Sequence, residues 1–138
     1  MRHLLLDTTT LIAYARGSFD ITSLDDDDVA LAAITVAEFR TAIELAAAPE
    51  RAAARARTLD AILSAVTVLD YTERTAAEHA RLLAHVRRTG VSRGAHDLII
   101  AAHAAQTGRA LMSLDAKAKF AGLPGVTALS APGGPPLA

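Results

Sequence analysis

The chain has 138 residues and a formal net charge of -1, enough for one compact domain but without the strongly basic footprint that holds nucleic acid by charge alone. Hydrophobic residues make up 51% and aromatic residues only 4%, so the composition suits helices layered on a sheet and offers no aromatic platform for stacking bases. Cysteine is absent, which excludes disulfide frameworks, thiol nucleophiles and thiolate zinc sites and is compatible with a reducing cytoplasm.

The first apolar run, His3 to Leu6, ends at Asp7 and reads as a buried strand. Thr8, Thr9 and Thr10 then offer capping hydroxyls to a helix through LIAYAR. Because Asp7 interrupts the apolar start, the segment does not read as a signal peptide, and no later stretch approaches the roughly 18 apolar residues of a membrane span. Gly17 to Asp28 is a polar connection ending in four aspartates; without the spaced ligands and closing Glu of a calcium loop, it reads as solvated. VALAAIT follows as a second strand, and Thr35 begins a helix over about 36–48. Pro49 opens another through RAAARARTLDAILSAV, and the two are expected to form a helical hairpin.

VTVLD at 66–70 alternates as a strand, and Thr72 caps a helix that Gly90 stops after Thr89. SRGAHDLIIAAHAAQTG is a further helix closed by Gly108, and RALMSLD a fourth strand ending at Asp115. KAKFAGLPG gives a turn or short helical piece, and VTAL a small last strand. Strands alternating with helices predict an α/β fold of three layers, with a mainly parallel sheet of about 4–5 strands flanked by helices. A single domain is expected over 1–130, followed by a flexible Pro/Gly-rich tail at 131–138.

In such a sheet ligands bind beyond the carboxyl ends of the strands, where Asp7 and Asp115 both stand. Glu38, one turn into the helix after the second strand, and Asp97, near the start of the helix before the fourth, can project toward the same edge. Four carboxylates brought together repel one another unless a cation neutralises them, and oxygen ligands favour Mg²⁺ or Mn²⁺ over zinc. Thr9 can add a hydroxyl. Such a site would carry out metal-assisted hydrolysis of a phosphodiester. Each acid also has a purely structural reading: Asp7 as an N-cap, Glu38 as the acid of a Thr35–Glu38 capping box, Asp97 as dipole compensation and Asp115 as a turn residue.

Taken together, LLLDTTTLI, TVAEFR, GAHDLIIAAHA and SLDAKAKFAGLPGV, in this order and spacing, resemble the PIN-domain ribonucleases, specifically the VapC toxins of type II toxin–antitoxin pairs. The resemblance spans nearly the whole chain and is most specific in GAHDLIIAAHA with SLD following. It implies a PIN-like fold in which Asp7, Glu38, Asp97 and Asp115 match the family's acidic metal-binding positions and Thr9 its small polar residue. It also implies Mg²⁺ or Mn²⁺, endonucleolytic cleavage of RNA in the cytoplasm, homodimerisation, and a cognate VapB-type antitoxin clasped by the alanine-rich helices at about 36–48 and 50–65. Some relatives carry a further acid just after the last aspartate; here Ala116, Lys117, Ala118 and Lys119 follow, so no fifth carboxylate is assigned.

Arg87, Arg88 and Arg93 precede Asp97, and Lys117 and Lys119 follow Asp115; these cations are candidates for meeting RNA phosphates, with solvated surface charge as the alternative for each. The five histidines lack zinc-like spacing, and His96 beside Asp97 reads as a packing residue. A haloacid-dehalogenase-like phosphatase would need an acid where Thr9 stands, and a receiver-like phosphoacceptor would need an acid pair after the first strand. A non-catalytic domain of the same fold that binds a partner protein or RNA is the remaining alternative.

Overall fold

The computed structural model describes residues 1–133, apart from the side chains of Ile21 and Ala118; of the tail expected at 131–138, residues 134–138 lie outside the described residues. Five strands, β1 (His3–Leu6), β2 (Asp28–Ala32), β3 (Thr67–Leu69), β4 (Ala110–Ser113) and β5 (Ala128–Ser130), form one sheet in the order β3-β2-β1-β4-β5. Every neighbouring pair is parallel, with Leu5 opposite Ala30 on one side and Leu111 on the other. The helices are α1 (Thr8–Ala15), α2 (Ala33–Glu44), α3 (Pro49–Leu63), α4 (Glu73–Thr89), α5 (Ala95–Thr107) and the short α6 (Ala116–Lys119).

Strand periodicity divides the core. On one face Leu5, Ala30, Ala32 and Leu111 pack with Leu82 of α4 and Leu98, Ile100 and Ala101 of α5; on the other, Leu4, Leu6, Leu31 and Met112 pack with Leu11, Phe39, Leu59 and Ile62 of α1 to α3. The apolar run Leu4–Leu6 of the central strand suits this arrangement, because both faces of β1 are covered there. Phe120, just after α6, is fully buried and anchors that short helix to the α4–α5 face. Among the described residues no helix is long and apolar enough to cross a membrane.

Among the boundaries that differ from expectation, two have clear local reasons. The second helix starts at Ala33, not Thr35, with Ala32 as an N-cap that makes no side-chain bond, so Thr35 is inside the helix and buried. β4 ends at Ser113, two residues before Asp115, because the Ser113 hydroxyl accepts the Asp115 N–H at 3.1 Å and turns the chain into α6.

The aspartate run is not simply solvated either. Arg2 donates to Asp27 at 2.7 Å, and Asp28 opens β2, where its carboxylate meets His3 Nδ1 at 2.9 Å and Arg109 Nη2 at 3.1 Å. Hydrogen bonds from Arg2 hold the Asp27 carboxyl below the usual range, and those from His3 and Arg109 do the same for Asp28. Arg109 Nη1 also donates to the carbonyls of Leu4 and Asp28 at 3.2 and 2.9 Å, tying three strand starts together. Arg109→Met is expected to cost about 2 kcal/mol by stranding carbonyls that lose a charged donor. Chemical denaturation should show that loss, while specific activity per folded molecule stays unchanged, since the clamp lies at the opposite end of the sheet from the acids.

Candidate active site

Parallel strands direct their carboxyl ends to one edge, and β1 delivers Asp7 there as the N-cap of α1. The Asp7 side chain is buried at 1% exposure and is surrounded by donors. It accepts the Thr10 N–H at 3.0 Å, the Thr10 hydroxyl, the Ser113 hydroxyl at 2.8 Å and the Thr9 hydroxyl at 3.2 Å. The Thr10 hydroxyl accepts the Leu114 N–H at 3.2 Å in turn, so one carboxylate joins the end of β1, the start of α1 and the end of β4. Asp7 is thus a helix cap and a rigidly held edge carboxylate at once. Thr10 and Ser113, both fully buried, hold the Asp7 carboxylate, a role that sequence reasoning did not assign them although the threonine run and the SLD segment contain them.

Glu38 comes from the second turn of α2 and does not close a capping box. Its Oε1 accepts the Thr8 hydroxyl at 2.8 Å, and Thr8 Oγ1 also lies 3.4 Å from Thr35 Oγ1. His96 Nδ1 is 3.6 Å from the same Glu38 oxygen. The partner that holds Glu38 is therefore Thr8, thirty residues away in sequence.

Asp97 stands in the first turn of α5 and is half-buried. Burial raises its pKa, the Lys119 ammonium opposes that rise, and the negative charges of Asp7 and Glu38 add to it. Gly94, the N-cap of α5, makes room for this carboxyl: a Cβ at Gly94 would sit 2.9 Å from Asp97 Oδ2. Gly94→Ala should push the oxygen aside at little cost in stability and lower metal affinity by about tenfold or more, as loss of a supporting contact to a ligand does. Calorimetric titration of divalent metal, beside a thermal melt, checks both halves of that expectation.

Thr8, Thr9, Glu38, His96, Asp97 and Lys119 line one open cleft of about 580 Å³, with Asp7 buried at its base beneath Thr9. Asp115 is placed differently from the other three acids: its side chain is exposed at the start of α6 and outside the lining of this cleft. Of the expected basic residues only Lys119 lines the cleft. Lys117 is exposed on α6, Arg87 and Arg88 are exposed in the last turn of α4, and Arg93 donates to the carbonyls of Lys119 and Ala121.

The donor chemistry fits a hard divalent cation. Three carboxylates and the hydroxyls of Thr8 and Thr9 are oxygen donors, and the upward push of Asp7 and Glu38 on Asp97 registers the repulsion that a cation would relieve. As the side chains stand, no three Asp, Glu or His groups among the described residues are close enough to hold one ion together.

Comparison with known proteins agrees with the fold. Nothing among curated protein sequences matches. A chain of the DNA-bound VapBC from Salmonella typhimurium is similar in structure, with TM-score 0.84 and 25% identity over 94% of this chain and 98% of that one. So is a chain of VapBC-5 from Mycobacterium tuberculosis, a member of the VapBC family of toxin–antitoxin systems, with TM-score 0.77 and 27% identity over 95% of this chain and 100% of the other. FitAcB from Neisseria gonorrhoeae matches with TM-score 0.77 and 27% identity over 91% and 96%. The family model of the PIN domain matches residues 4–123, which run from β1 through the cleft to the end of the α6 segment, and on that match the chain belongs to the PIN domain family.

Proposed function

We propose that this chain is the toxin of a type II toxin–antitoxin pair, a VapC-type endoribonuclease that depends on Mg²⁺ or Mn²⁺. The observation that carries the reading is that Glu38, Asp97 and a lysine line one cleft, with the buried Asp7 beneath its Thr9 and close enough for its charge to act on Asp97. Asp7, Asp97, Glu38 and Thr9 would hold the metal, and Asp115 would join them from the adjoining turn. A divalent ion held by these residues would supply Lewis-acid polarisation of a phosphodiester and charge stabilisation of its leaving oxygen.

The chain's own residues do the rest. Asp7 is kept in place by Thr10 and Ser113, so the base of the cleft costs no reorganisation during reaction. Thr8 orients Glu38, and Gly94 leaves space for Asp97. Lys119 supplies positive charge beside Asp97 to receive a phosphate.

The partner is a VapB-type antitoxin, as in the VapBC complexes that share the fold. A cavity of about 250 Å³ between α1, α2 and α3, lined by Ile12, Phe39, Ala42 and Ala54 with Arg16 and Arg55 at hand, offers it an apolar seat with cationic edges. Homodimerisation is part of the same reading.

Induced expression in a bacterial host tests the proposal as a whole. Growth should stop and RNA fragments accumulate with the native chain, whereas Glu38→Gln should grow normally. Normal growth and intact RNA despite accumulation of folded native chain would contradict it.

A further inference from the structure

We propose that Arg93 is a positioning residue of this cleft: it seats Lys119, which then takes an RNA phosphate beside Asp97. The inference rests on the nuclease reading above and concerns how the cleft's cation is held.

Arg93 is half-buried, and its guanidinium spans the gap between the loop before α5 and the end of α6. Nη1 donates to the Lys119 carbonyl at 2.7 Å, and Nη2 to the Ala121 carbonyl at 3.4 Å. Those acceptors lie where a helix leaves carbonyls without helical partners, and α6, at four residues, is too short to hold itself by its own ladder. Phe120, buried between the two, fixes the same segment from the core side. The backbone that carries Lys119 is therefore held from both directions, by apolar packing and by a charged fork.

The other end of the brace is equally placed. Arg93 is followed by Gly94, whose missing Cβ is the space that Asp97 Oδ2 uses, and Asp97 itself stands three residues further on. One five-residue segment thus presents the acid directly and sets the cation through a carbonyl. Lys119 lines the cleft, and its ammonium is the foremost charge acting on the Asp97 carboxyl. A phosphate entering the cleft meets Lys119, while the guanidinium of Arg93 is engaged with backbone oxygens. Arginine suits this task because its planar fork reaches two carbonyls, which a lysine at the same position does not.

The test is the salt dependence of RNA affinity, measured on a short single-stranded RNA of mixed sequence with Ca²⁺ in place of Mg²⁺, beside thermal melts of each variant. Lys119→Ala should flatten the plot of log affinity against log salt by about 0.7, the contribution of one phosphate contact on a single strand. Arg93→Gln should flatten it by a similar amount. Arg93→Lys, which keeps the charge and loses the fork, should behave like Arg93→Gln, and Arg93→Gln with Lys119→Ala should be no flatter than Lys119→Ala alone.

A double variant flatter than Lys119→Ala, or rescue by Arg93→Lys, would overturn the proposal by making Arg93 itself a phosphate contact. Native slope in a folded Arg93→Gln would overturn it by making the brace merely structural. If the native chain held no RNA at any salt, the nuclease reading would fall instead.

Discussion

Asp97→Asn is expected to raise the melting temperature of the metal-free protein while lowering RNA cleavage by about a thousandfold or more, the scale seen when one catalytic group is removed. The stability half follows from sign. Burial, reinforced by the charges of Asp7 and Glu38, lifts the folded-state pKa of Asp97 above its ordinary value of 3.8. An acid whose pKa rises on folding opposes folding wherever it is ionised, so at neutral pH the native carboxylate is a strain on the structure and the neutral amide is not.

The gap between variant and native chain should then close as pH falls through the raised pKa, and vanish below 3.8, where Asp97 is protonated in both states. Comparing the two proteins at each pH cancels the opposite contributions of Asp27 and Asp28, whose lowered pKa values make them stabilising groups that are lost on acidification. Adding Mg²⁺ or Mn²⁺ should reverse the order, because an ion that binds only the folded native site stabilises it by mass action. Thermal melts in EDTA and in metal, across pH, read all of this. A variant that melts below the native chain in EDTA at neutral pH would show that Asp97 is not under charge stress.

Asp7→Ala should be costly in both respects. Its carboxylate caps α1 and takes the hydroxyls of Thr10 and Ser113, each fully buried. Losing a cap costs about 1 kcal/mol, and each of the two buried donors left without an acceptor about 1–3 kcal/mol more, so a loss of at least about 3 kcal/mol is expected, a large share of a small domain's stability. Cleavage should disappear as well. Glu38→Gln provides the contrast: with its side chain 33% exposed and held by the Thr8 hydroxyl, it should lose activity with little change in denaturation midpoint. Equal stability of Asp7→Ala and Glu38→Gln by urea denaturation would contradict the central place given to Asp7.

The parallel α/β fold was legible because its signals are local. An apolar run ending at Asp7, a capping Thr72 and the stopping glycines Gly90 and Gly108 each mark an element without reference to the rest of the chain, and both glycines do adopt the left-handed conformation that ends a helix. The convergence of Asp7, Glu38 and Asp97 was also within reach, since strand ends in a parallel sheet share one edge. What the sequence did not reveal depends on pairs distant along the chain. Thr35 and Glu38 fit a capping box locally, but Thr8 reaches Glu38 across the sheet edge and α2 begins two residues early on an alanine that gives no cap signal. Likewise, charge runs do not say which cation turns inward: Lys119 enters the cleft while Lys117, two residues before, faces outward. Asp115 looked like a strand end because SLD continues the apolar run, whereas the Ser113 hydroxyl stops β4 first.

The most direct measurement is RNA cleavage by the purified chain in EDTA, Mg²⁺ and Mn²⁺, run beside Asp97→Asn on a panel of structured and single-stranded RNAs. Cutting that requires the ion and vanishes in the folded variant is the predicted result. Cutting that persists in EDTA or in Asp97→Asn, or no cutting of any RNA by a chain that also binds no metal, would contradict a metal-dependent nuclease at the end of β1.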